Sequence, residues 1–92
     1  MKNKSHIPAT QKIINNKIYR KFSIDVSESE LKWHWDEKDR TVEIVNDNNW
    51  QIQFDNQLPQ KLSKGKKIFI KAGEWHRVIK GNADLEVIIT EN

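Results

Sequence analysis

The sequence contains no cysteine, which excludes a disulfide framework, a thiolate zinc site and a thiol nucleophile. Glycine occurs three times and proline twice. Gly65-Lys66-Lys67 lacks the spacing and following helix of a phosphate-binding loop. Apolar runs never exceed a few residues, too short to span a membrane as a helix. No apolar stretch follows the N-terminal lysines, so they do not open a secretory signal. A cytoplasmic protein with no membrane partner is the expectation. No serine lies beside a histidine motif, so no nucleophilic serine constellation stands out. Acidic residues are absent from the first 24 positions, which hold Lys2, Lys4, Lys12, Lys17, Arg20 and Lys21. Such an arm could touch phosphates. Residues 1–17 hold no aromatic side chain among their lysines, however, so nucleic acid is not an expected partner.

What is present is a chain of 92 residues, enough for one domain with one modest core. Hydrophobic residues make up 36% and charged residues 32%, so the core must be compact or completed by a partner. Residues 1–17 are expected to form a basic N-terminal arm and 18–92 the folded domain. Ile18, Arg20, Phe22, Ile24 and Val26 share one parity, as on a strand with one buried face. Leu31–Trp35 reads as a short aromatic strand after a polar break at Ser27–Glu30. Thr41–Val45 is β-branched apart from Glu43, and Trp50, Ile52 and Phe54 alternate with polar residues. Asn46–Asn49 is the clearest turn, since asparagine and aspartate tolerate left-handed backbone. Ile68 and Ile70 share a face in the next strand, and Gly65 and Gly73 suit turn positions with positive φ. Gly81-Asn82 is expected to close a hairpin after Ile79, before Leu85, Val87 and Ile89. Seven or eight short strands separated by turns, with no convincing helix, predict an all-β sandwich or barrel of antiparallel strands.

Four polar residues fall on the inward parity. His34 and Asp36 are two apart, and strand spacing points both to one face. Arg40 has the parity of Val42 and Ile44. His76 follows the Ala72-Gly73 turn and shares its face with Val78. Two imidazoles and one carboxylate make up the donor set of a 2-His-1-carboxylate metal site. Arg40 cannot ligate a metal, and it could instead pair with Asp36 or meet an anionic ligand. A metal site, an arginine-lined anion pocket and a purely structural Asp36–Arg40 bridge therefore all fit the pattern. Trp50 and Arg40 are assigned to the wall of the ligand pocket. Trp33 and Trp35 point away from His34 and need a cover, which favours a homodimer over a monomer.

Two stretches resemble the conserved motifs of the cupins. The second motif, Gly-x5-Pro-x-Gly-x2-His, is matched by Gly65, Gly73 and His76, with Lys71 in the proline slot. The first, His-x-His-x3-Glu, is matched in spacing by His34, Asp36 and Arg40, with the Asn46–Asn49 turn in place of the glycine. The resemblance covers about Glu30 to Ile89. It implies a single small cupin-type jelly roll, RmlC-like, that binds iron, manganese, nickel or zinc through the motif residues, here His34, Asp36 and His76. The order His-x-Asp then a distant His is similar to that of oxygenases on related double-stranded barrels. A divalent metal, a small polar or anionic ligand and a homodimeric state are what it leads one to expect. The alternative is a non-catalytic or structural cupin with a degenerate metal site. Whether the protein is an enzyme is left open by the residues.

Overall fold

The computed structural model describes residues 9–28 and 31–91. Lys2, Lys4 and Pro8 of the expected arm, and Ser29 and Glu30 of the polar break, lie outside these. Eight strands follow one another: β1 (Ala9–Ile14), β2 (Lys17–Phe22), β3 (Arg40–Ile44), β4 (Gln51–Phe54), β5 (Gln60–Lys61), β6 (Lys67–Ile70), β7 (His76–Ile79) and β8 (Leu85–Glu91). There is no α-helix among the described residues, and none long and apolar enough to cross a membrane. The protein is an all-β jelly roll with a five-stranded sheet ordered β1-β2-β8-β3-β6 and a three-stranded sheet ordered β5-β4-β7. All pairings between strands are antiparallel.

Period-two alternation builds the inner face of the larger sheet. Ile18 opposes Ile89, which opposes Val42, which opposes Ile68. One row over, Arg20 opposes Val87 and Val87 opposes Ile44. At the end of the sheet Glu91 opposes Arg40 and Arg40 opposes Ile70. Ile52 and Phe54 close over these rows from the smaller sheet, and with Val26, Leu31, Trp50, Leu62 and Leu85 they complete one buried cluster. Residues from both sheets thus share a single core, and each strand buries one face only.

Several turns follow their residue chemistry. Asn15 and Asn16 both have positive φ (52° and 67°), the two-residue turn that matches the twist of a hairpin, and so β1 folds back on β2. Ala9–Ile14, inside the expected arm, is therefore the outer strand of the larger sheet. Gly65 and Gly73 sit at φ 86° and 80°, where a Cβ would be strained. Asn46–Asn49 is a corner that carries the chain from one sheet to the other. The buried Asn48 holds it, donating to the Asn46 and Leu62 carbonyls and accepting from the Trp50 backbone N–H at 2.6 Å.

Two expected elements are corrected. Gly81-Asn82 does not close a hairpin, because β7 and β8 lie in different sheets. Gly81 is instead needed because a Cβ there would run into the backbone of Asn48 and Asn49. Leu31–Trp35 is no full strand, since only His34 forms a bridge, to His76. Leu31 is buried and its carbonyl accepts from Val78. Trp33 and Trp35, on either side of His34, are exposed.

Candidate metal centre

The single bridge at His34 does more for the site than a long strand would. His34 and His76 exchange both backbone hydrogen bonds, each 2.9 Å, and directly opposed antiparallel residues project to the same face. Their ring centroids lie 4.3 Å apart, edge to face. Two residues later the Asp36 carbonyl accepts from the Gly73 N–H at 2.9 Å, and Asp39 accepts from the Ala72 N–H at 2.8 Å. The 36–39 turn is thereby stitched to the 71–74 turn, and Asp36 is carried over the two imidazoles. One ligand atom each from His34, Asp36 and His76 can be chosen so that all lie within 4.8 Å of one another.

The protonation pattern follows from the outer hydrogen bonds. His34 Nδ1 is 2.9 Å from the Lys32 carbonyl and His76 Nδ1 is 2.9 Å from the Glu74 carbonyl. A carbonyl only accepts, so each Nδ1 carries a proton, and the neutral tautomer with that proton leaves Nε2 as the lone-pair nitrogen on the side of the centre. Burial holds the His76 imidazole below its usual pKa, against the opposing pull of the Glu74 carbonyl and the Asp36 charge. His76 is therefore neutral at pH 7. Its Nε2 faces Asp36 Oδ2 at 3.5 Å, and His34 Nε2 faces Oδ1 at 3.9 Å. Asp36 Oδ2 is buried and accepts no hydrogen bond from the described residues. In that tautomer the two Nε2 atoms converge with the carboxylate, whose Oδ2 has no partner among the described residues, an arrangement that fits a divalent cation.

Arg40 does not consume the aspartate. Its Nε and Nη2 both donate to Glu91 Oε2, at 2.9 and 2.8 Å, whereas its Nη1 lies 3.5 Å from Asp36 Oδ1. Glu91 holds the guanidinium beside the carboxylate and leaves Oδ2 free.

These groups form the polar end of a cavity of about 250 Å³ lined mostly by aliphatic side chains. Of the five residues singled out from the sequence, His34, Asp36, Arg40 and His76 line it together. Trp50 does not. It is fully buried in the core, its ring 6.2 Å from that of Phe22 and its indole N–H bonded to the Ala83 carbonyl at 2.5 Å. Two charged residues were missed. Arg20 lines the cavity, and Glu91 braces Arg40. The parity of Ile18 and Phe22 marks Arg20, and that of Val87 and Ile89 marks Glu91.

No family model matches the sequence and no curated protein matches it. Solved structures do. KdgF from Halomonas sp. superposes with a TM-score of 0.74 at 16% identity, over 97% of this chain and 84% of that one. An RmlC-like cupin family protein with a double-stranded β-helix fold from Methanocaldococcus jannaschii gives 0.68 at 10% identity, over 95% and 82%. The iron(II) form of HppE gives 0.64 at 10% identity, over 83% of this chain and 41% of that one. Eight antiparallel strands in two sheets around a central cavity, shared with these structures, give this chain the fold of a small cupin.

Proposed function

We propose that the protein is a metal-binding cupin that holds one divalent ion through His34, Asp36 and His76 and takes a small polar or anionic molecule into the adjoining cavity. The observation that carries this reading is the buried, unpartnered Asp36 Oδ2 facing an unprotonated imidazole nitrogen. The iron(II) neighbour adds support for a metal, and iron, manganese, nickel and zinc all suit two nitrogens and a carboxylate. A bound ion would act as a Lewis acid on a ligand oxygen. The protein's own part is to hold the tautomers through Lys32 and Glu74, keep Arg40 on Glu91, and exclude water with the aliphatic wall.

The proposal extends to a cytoplasmic homodimer. The outer edges of β1 and β6 have no strand partner among the described residues, and Trp33, Trp35, Trp75 and Phe69 are exposed. Elemental analysis of untagged protein, purified without chelator, tests the metal centre. Near-stoichiometric metal is expected in the wild type and in Arg40→Ala, with loss in His76→Ala. Metal-free wild type that cannot be loaded with zinc or manganese would favour the alternative, a cupin that binds its ligand without metal. Sedimentation of the same sample reads the oligomeric state.

A further inference from the structure

Arg20 is the one cavity-lining cation that the metal centre does not absorb. It sits on β2 between Ile18 and Phe22, faces inward, and opposes Gln11 on β1. Its Nε donates to Gln11 Oε1 at 3.0 Å and its guanidinium carbon lies 5.9 Å from the Phe22 ring centre. No carboxylate pairs with it among the described residues, whereas Arg40 is taken by Glu91. Burial and the neighbouring Arg40 charge both disfavour its protonated form, outweighing the attraction of Glu91 and Asp36. Arginine stays protonated all the same, so a half-buried guanidinium remains without a directly paired carboxylate among the described residues, a place that an anion would complete. With its Nε tied to Gln11, the planar fork matches a carboxylate. The opposite chemistry lines the rest of the cavity, where Leu31, Ile52, Leu85 and Ile89 are buried. At about 250 Å³ the space falls below the range of roughly 300–1,000 Å³ that suits drug-sized ligands.

We propose that Arg20 is the anion anchor of the cavity and that the ligand is a small organic acid, its carboxylate on Arg20 and its apolar body against the aliphatic wall. This rests on the reading of the cavity as a ligand site, but not on the metal. The N-terminal hairpin acquires a role, since β1 supplies the Gln11 amide that aims the guanidinium.

Calorimetric titration of the whole chain with butanoate, hexanoate and phenylacetate, each beside its neutral amide and beside inorganic phosphate, tests the assignment in chelator-treated and zinc-loaded protein. The acids should bind at millimolar concentration or better, with the amides about tenfold weaker or more, the equivalent of about 1.4 kcal/mol. Arg20→Gln should erase that preference with unchanged metal content and circular dichroism, and Arg20→Lys, which keeps the charge, should retain part of it. Amides binding as well as acids, phosphate binding better than any acid, no acid binding, or a preference that survives Arg20→Gln would each overturn it. A preference for acids in protein that takes up no metal would sink the metal centre and leave this anchor standing. Metal uptake with no such preference would do the reverse.

Discussion

Replacing Asp36 with asparagine should make the metal-free protein more stable and abolish its response to metal. Without a cation, Oδ2 is desolvated, accepts no hydrogen bond and faces the His76 Nε2 lone pair at 3.5 Å. An unpaired buried acceptor costs about 1–3 kcal/mol. An asparagine of the same shape can turn its amide N–H₂ to His76 Nε2 and keep its oxygen towards Arg40, which converts the opposition into a hydrogen bond. The change forfeits the attraction between Asp36 and Arg40. That contact is long at 3.5 Å and Arg40 keeps Glu91, so the loss stays well below the roughly 3–5 kcal/mol of a closely paired buried bridge, on the order of 1 kcal/mol. The net gain is about 1 kcal/mol, which moves the melting temperature of a chain of this size up by about 4–8 °C. Wild type should gain more when metal is present, about 2.7 kcal/mol at a hundredfold excess over Kd, and the variant should gain nothing. Thermal unfolding by circular dichroism at pH 7.5, with chelator and then with zinc or manganese, reads both effects. An Asp36→Asn protein that melts below wild type in chelator would refute the reasoning, because it would mean that the carboxylate is already satisfied by protein groups.

Two further predictions follow from the same groups. Glu91→Ala should free Arg40 to swing onto Asp36 and compete with the ion, weakening metal affinity about 10–100-fold, as loss of an outer partner commonly does; titration against a fluorescent zinc chelator measures it, and unchanged affinity would show that Arg40 is held by something other than Glu91. The metal-free protein should lose stability in mild acid through His76. Its folded pKa is below that of the unfolded chain, so its contribution is full above about pH 6.5 and is lost as pH falls from there through the folded value. Urea unfolding at pH 5 and pH 7.5 should show this loss in wild type and a smaller one in His76→Gln; equal losses would mean that His76 does not titrate there.

Parity along the chain pointed to one cavity for His34, Asp36, Arg40 and His76, and all four line it, although Asp36 is carried there by the 36–39 turn bound to the 71–74 turn and not by a strand. Parity could not say that Leu31–Trp35 meets β7 through one bridge at His34 and one further hydrogen bond at Leu31 and does not form a full strand. That depends on where Trp33 and Trp35 find solvent, which is a tertiary matter. Nor does alternation tell one end of a barrel from the other. Trp50 has the inward parity of Ile52 and Phe54, yet it lies by Phe22 and Ala83, away from the imidazoles.

Arg20 and Glu91 carried the inward signal as plainly as their apolar neighbours. Charged residues on a strand are normally assigned to water, however, and the partners that hold these two show only once the strands are paired. Glu91 becomes credible as an inward residue only once the register of β8 against β3 sets it opposite Arg40. Arg20 becomes credible only once Gln11, from a hairpin whose turn depends on Asn15 and Asn16, is seen beside it. The four charged residues of the polar end are thus of two kinds. Asp36, Arg40 and Glu91 satisfy one another except for a single oxygen, and that oxygen points to a cation. Arg20 stands outside the set, with no directly paired carboxylate among the described residues. On the two proposals made above, such a cavity, with its aliphatic wall, would take a metal ion and an acid together.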